Sequence, residues 1–236
     1  MSTFNMSWKE LRTSIKNCTF IDCPRNKNKS PILFDRNEIF LSEIKFLVVS
    51  QEPGFSLRKN CDSSTEAMEK YLIDHCLQLK PIGTSPVNKM IEIFDNFDLS
   101  KDKIYWTHAL KCVPAKSDND IKNEWEKCAS LCINHFRNEL NLIPSEKLAI
   151  IAIGNYALAL CRHILQSEIL SHTSGIMEYI RTADLEKKFS LDEKEISLFP
   201  FIHPSHRQQI LKQHDKNDKV KNKEEKFIER IRQFNQ

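Results

Sequence analysis

Three residues capable of chemistry stand at matching places in the chain. Glu52 follows the apolar run "FLVVSQ", His108 closes "IYWT", and His203 follows "EISLFPFI". A carboxylate can stabilise positive charge or orient a water, and a neutral imidazole carries one donor and one acceptor on opposite sides of its ring. Cysteine supplies a second pool. Cys18 and Cys23 form a C-x4-C pair, and Cys112 and Cys128 are separated by fifteen residues. In a reducing compartment each cysteine is either a small buried hydrophobe or a metal ligand, rather than half of a disulfide.

The elements that must position these residues follow from periodicity. Apolar runs of strand length occupy residues 44–50, 103–110, 147–154 and 195–202, rich in β-branched and aromatic side chains and nearly continuous, as strands covered on both faces should be. Helical patterns lie between and after them. Ile121, Trp125, Cys128, Cys132 and Phe136 recur at spacings of three and four behind the capping candidates Asp118 and Asp120. "NYALALCRHIL" starts at Asn155, a cap candidate directly after Gly154, and Val220, Phe227, Ile231 and Phe234 mark an amphipathic closing helix. Alternation of this kind predicts an α/β fold, a three-layer α/β/α sandwich with a central four-stranded parallel sheet. In such sheets the ligand crevice lies beyond the carboxyl ends of the strands. The residues there are Gln51 and Glu52, His108, Gly154 and Asn155, and His203.

Composition narrows the classes. With 236 residues, 40% hydrophobic and 28% charged, the chain suits one domain, carrying an N-terminal cysteine-containing extension over about residues 1–43 and a basic closing helix over about 217–236. No apolar run approaches a membrane span. The opening segment "MSTFNMSWKELRTSIKNC" lacks an apolar stretch followed by a small-residue cleavage site, so an intracellular protein is expected; a monomer is also expected. Four glycines in the whole chain and no Gly-rich loop exclude a dinucleotide or Walker-type site. The formal charge is only +3, yet residues 201–236 hold nine Lys/Arg against five Asp/Glu, a basic end compatible either with phosphate binding or with a solvated helix face.

Four segments taken together, "VVSQEPG", "IYWTHALKCVP", "IIAIGNYAL" and "FIHPSHRQQIL", resemble in their order the motifs of the uracil-DNA glycosylase superfamily, and most closely its iron–sulfur family 4 and 5 branches. The resemblance spans about residues 44–212. It implies a DNA glycosylase of base excision repair that hydrolyses the N-glycosidic bond of uracil or another deaminated base. The partner would be DNA containing that base. By position in the motifs, Glu52 would be the catalytic acid that orients water, one residue after the place where family 4 keeps its glutamate, and Gln51 would occupy that earlier place. His203 would stabilise the departing base. Phe55 would stack on the base, and His108 stands where related families have an asparagine that reads the pyrimidine edge. Asn155 would line the same pocket, while Ser205, His206 and Arg207 would contact DNA. The His108 replacement, and "FSLRKNCDSSTEAMEK" in place of the family 4 segment after the first motif, leave a second class open: a DNA- or nucleotide-binding protein on the same scaffold without hydrolysis.

In the iron–sulfur branches an N-terminal C-x2-C pair joins two later cysteines at nearly the spacing of Cys112 and Cys128. Here the N-terminal pair is two residues wider. The resemblance implies Cys18, Cys23, Cys112 and Cys128 as ligands of a [4Fe–4S] cluster, the alternatives being a structural zinc or no metal. Cys61, Cys76, Cys132 and Cys161 are expected to be buried hydrophobes.

Overall fold

The computed structural model of the chain describes residues 6–18, 20, 23, 41–51, 64–72, 103–112, 121–170, 175–215 and 218–236. All four expected strands are present: β1 (Phe46–Ser50), β2 (Ile104–His108), β3 (Lys147–Ile153) and β5 (Lys194–Phe201). A fifth strand, β4 (Lys188–Leu191), was not expected. The sheet order is β2-β1-β3-β5-β4, parallel throughout except that β4 runs antiparallel to β5. The expected four-stranded sheet is thus four parallel strands plus an antiparallel edge. Leu191 pairs with Lys194, so the connection is the two residues Asp192 and Glu193, and Asp192 takes a left-handed φ of 54°. That conformation suits the right-handed twist of a hairpin but normally calls for Gly or Asn, so "LDEKE" carries only a faint hairpin signal. The edge strand is short and carries Lys188, features that discourage pairing with a further strand.

The four parallel strands are buried along their length, apart from the first residues of β3 and β5, because helices cover both faces, whereas the edge strand β4 buries only Phe189. The register aligns Val48 with Trp106 and Ile151, and Ile151 with Phe199, so odd and even positions separate cleanly. On one face Phe46 meets Phe234, and Phe199 and Phe201 meet Phe227, all edge-on at 5.6–6.0 Å; Phe227 and Phe234 belong to α7 (Lys219–Asn235). On the other face Tyr105 meets Trp8 of α1 (Trp8–Lys16) at 5.6 Å and donates its hydroxyl to Glu139 of α3 (Ile121–Leu142). Helix α1 is launched by a capping box in which Ser7 and Glu10 satisfy each other's backbone N–H. The other helices among the described residues are α2 (Thr65–Leu72), α4 (Gly154–Gln166), α5 (Ile176–Thr182) and α6 (Pro204–His214).

Beneath the end of β2 lies a buried ion pair. Lys111 is 2% exposed and Glu139 1%. The three donors of the Lys111 ammonium go to Glu139 Oε2 at 2.5 Å, Thr107 Oγ1 at 2.6 Å and the His108 carbonyl at 2.8 Å. Glu139 also accepts from Thr107 and Tyr105. Every donor is used, so the two charges are tolerated away from water. Removing one partner strands the other. Lys111→Met should therefore cost about 3–5 kcal/mol of stability in urea unfolding. A loss below about 1 kcal/mol would show that the pair does not hold α3 to the sheet.

Candidate functional site at the carboxyl ends of the strands

The parallel register brings the ends of β1, β2, β3 and β5 to one edge of the sheet. Past β1 and β2 the pairing continues, with Ala109 N donating to Ser50 O at 2.8 Å and Leu110 N to Gln51 O at 3.0 Å. Gln51 is thereby fixed beside the β2 end. Glu52 and Phe55 lie outside the described residues, so their assignments stay expectations from the motif.

His108 is buried at 6% exposure, and its Nδ1 lies 2.5 Å from Ser50 Oγ. Trp106 Nε1 donates to the same oxygen at 3.2 Å. Burial, with Lys111 as the second cause, pushes the His108 pKa down to about 3, so the ring is neutral at any physiological pH. A base reader here would be a neutral imidazole with one nitrogen already engaged by Ser50. An asparagine would instead present both a donor and an acceptor on one amide.

At the next strand, β3 passes into α4 with no intervening loop. Gly154 has φ +85°, and a Cβ placed on it would come within 3.4 Å of His203 Cβ. The left-handed backbone calls for glycine, while the contact with His203 is at ordinary van der Waals distance. The expected cap at Asn155 is not formed: Ile153 is the N-cap residue of α4 and no side chain caps it. Asn155 Oδ1 accepts from Ile176 N at 2.8 Å instead, capping the start of α5. Its carboxamide oxygen is thus committed within the fold.

His203 follows the end of β5, seated against the Gly154 turn. Burial first and His206 second lower its pKa to about 4, so it too is neutral near pH 7. The His203 carbonyl accepts from His206 N at 3.0 Å as α6 begins. That helix starts at Pro204, placing Ser205 inside its first turn rather than at its cap; the Ser205 side chain lies outside the described residues. His206 is exposed, with its ring 6.1 Å from that of His203. Arg207, expected at DNA, gives Nε and Nη2 to Glu224 Oε2 at 2.9 and 2.8 Å.

Of the cysteines, Cys18, Cys23, Cys128 and Cys132 neighbour one another beside α3. Cys23 and Cys132 pack against an apolar cluster of Leu110, Trp125, Cys128, Ala129 and Ala159. Burial raises the Cys132 pKa; the backbone N–H and charge of Lys111 oppose this, while Cys23 and Cys18 add to it, so Cys132 shares the neighbourhood of the N-terminal pair. It is half-buried and packs on this cluster, while Cys161 is fully buried. Cys112 lies four residues past the end of β2, after Lys111. Among the described residues no group of three or more His, Cys, Asp or Glu side chains is set to hold a metal ion. Among the described residues, too, no helix is long and apolar enough to cross a membrane.

A family model described as Uracil DNA glycosylase superfamily matches residues 41–232, which spans β1 to α7 and every strand end named above. The chain belongs to that superfamily. No curated protein matches it. For a uracil-DNA glycosylase superfamily member the strand-end edge is the place to seek the base pocket. Sequence reasoning found Gln51, His108, Gly154, Asn155 and His203 there. It missed Ser50, Trp106, Lys111 and Glu224. Glu224 had a usable signal: with Val220, Phe227 and Ile231 it falls on the buried stripe of α7, where a carboxylate needs a reason.

The buried histidines generate a pH dependence. Above the ordinary histidine pKa near 6.5, folded and unfolded chains are both neutral at His108. As pH falls below it, the unfolded chain binds a proton that the folded one refuses until about pH 3, so stability drops on acidification. Between pH 7 and 5 the wild type should lose about 2 kcal/mol more than His108→Asn in urea unfolding. Equal losses in the two proteins would contradict a neutral buried His108.

Proposed function

We propose that this superfamily member is a monofunctional DNA glycosylase that hydrolyses the N-glycosidic bond of uracil, hypoxanthine or xanthine in DNA. The observation that carries this reading is a neutral His203 held against the Gly154 turn at the end of β5, within the segment matched to the family. Breaking the bond between the sugar carbon and the base nitrogen leaves the electron pair on the base. Negative charge then grows on the base carbonyl while positive charge grows on the sugar. A neutral imidazole N–H in a buried site stabilises the first, and the Glu52 carboxylate the second while it orients the water that adds to the sugar carbon. The base must leave the stack to reach this edge, where Phe55 would stack on it and Gln51 and His108 would read its rim. Ser205 and His206 at the start of α6 would face the DNA, with the lysines beyond them.

One observation favours a second reading, a DNA- or nucleotide-binding protein without hydrolysis. His108 has Nδ1 engaged by Ser50 where relatives offer an asparagine amide. A strand-scission assay separates the two. Oligonucleotides carrying each deaminated base should yield alkali-labile abasic sites with the wild type. Glu52→Gln and His203→Ala should slow single-turnover release about a hundredfold or more while DNA affinity is kept. No release from any base by the wild type would favour the binding protein, and full activity of either variant would remove its assignment.

The resemblance of the cysteine spacing and the chemistry of four thiolates support a metal centre, although among the described residues no group of three or more such side chains is brought together. Cys18, Cys23, Cys112 and Cys128 would hold a [4Fe–4S] cluster, with Cys132 beside them, and zinc is the alternative for the same thiolates. Such a group would tie the N-terminal segment to the β2–α3 connection. Its contribution is to folding, since no step of base release requires it. Protein purified without oxygen should be brown, with broad absorption near about 400 nm, and should bleach and lose stability on chelation. Colourless protein free of iron and zinc would exclude the centre.

A further inference from the structure

We infer that Glu224 of α7 is a positioning residue for His203, and that Arg207 serves this tether rather than the DNA backbone. Glu224 is 1% exposed, on a helical stripe otherwise filled by Val220, Phe227 and Ile231. Burying a carboxylate there costs several kcal/mol unless its oxygens are occupied, whereas an apolar residue would pack the same stripe at no such cost. Both oxygens are occupied, and by the segment that carries the histidine. Oε1 accepts from Ile202 N at 2.9 Å, just where β5 ends and its ladder stops supplying partners. Oε2 takes Nε and Nη2 of Arg207, in the first turn of α6.

His203 therefore lies between two points fastened to one carboxylate, one residue after the first and four before the second. On its other side His203 Cβ lies against the β3–α4 turn, at ordinary van der Waals distance from the place a Cβ of Gly154 would take. The backbone at His203 is bracketed, and the far anchor is a helix that closes the chain. A residue held in this way keeps its imidazole aimed without rearrangement during a reaction, the kind of placement in which a displacement of about 1 Å costs on the order of a hundredfold in rate.

The inference rests on the glycosylase reading for its kinetic arm only. Its other arm is the exchange rate of the Ile202 amide and the His203 ring resonances by NMR, which need no activity. Glu224→Ala removes both tethers. The Ile202 amide should exchange about tenfold faster or more, the His203 ring signals should move, and kcat should fall about tenfold or more with KM within about twofold. Glu224→Gln keeps an acceptor for Ile202 N–H, so its amide should stay protected and kcat should remain within about threefold of wild type. Arg207→Ala leaves Ile202 fastened; it should shift the His203 ring and leave the salt dependence of DNA affinity unchanged, and it carries the test with the Gln variant if Glu224→Ala does not fold. Unchanged Ile202 exchange and ring signals in Glu224→Ala would overturn the inference. So would a Gln variant as impaired as the Ala variant, which marks a role in folding alone. A salt slope reduced by about one in Arg207→Ala would make that arginine a phosphate contact and overturn its part. Should wild type release no base, the glycosylase reading fails by itself and the NMR arm still decides for or against the tether.

Discussion

A parallel sheet buries its strands on both faces, so the polar groups at its carboxyl edge must find partners inside the protein or be aimed at a ligand. The Lys111–Glu139 pair meets that constraint most severely. Two charges almost wholly removed from water persist because the ammonium uses its three donors on Glu139, Thr107 and the His108 carbonyl, and because Tyr105 and Thr107 fill the carboxylate. This pair locks α3 to β2 from below. It also contributes to the field that keeps His108 neutral above it, and its lysine backbone N–H bonds Cys132, joining the strand edge to the thiol-rich side.

The same constraint is met at the other end of the site by Glu224. There the orphan N–H is Ile202, the counter-charge is Arg207, and the beneficiary is the loop bearing His203. Two buried carboxylates on two helices, one on each face of the sheet, thus fix the two histidine-bearing strand ends. The histidines themselves are left neutral by burial, which suits hydrogen-bond donation to a base carbonyl better than delivery of a full positive charge.

Much of this was legible in the chain. Continuous apolar runs located the four parallel strands because burial on both faces removes alternation, and the strand-end rule then selected Gln51, His108, Gly154, Asn155 and His203 without any coordinates. What escaped did so for identifiable reasons. Strand β4 turns into β5 through Asp192 and Glu193, a pair without the glycine that advertises a hairpin. Asn155 has the right type for a cap, but the N–H it serves lies at Ile176, in another helix. Arg207 reads as a DNA contact from its place in the fourth motif, since its partner Glu224 is brought close only by the packing of α7 on the sheet. Cys132 shares a helix face with Cys128, and only the fold shows that this face looks toward Cys18 and Cys23.

The central claim is that a neutral His203, held at the end of β5, meets the departing base. The most direct measurement is the titration of the His203 imidazole by NMR, free and in the presence of oligonucleotides with and without a deaminated base. The account predicts a ring still neutral at pH 5, consistent with a pKa near about 4, and resonances that shift with the deaminated oligonucleotide but not with the undamaged one. An imidazole that titrates near its ordinary pKa of about 6.5 and answers to neither oligonucleotide would contradict it.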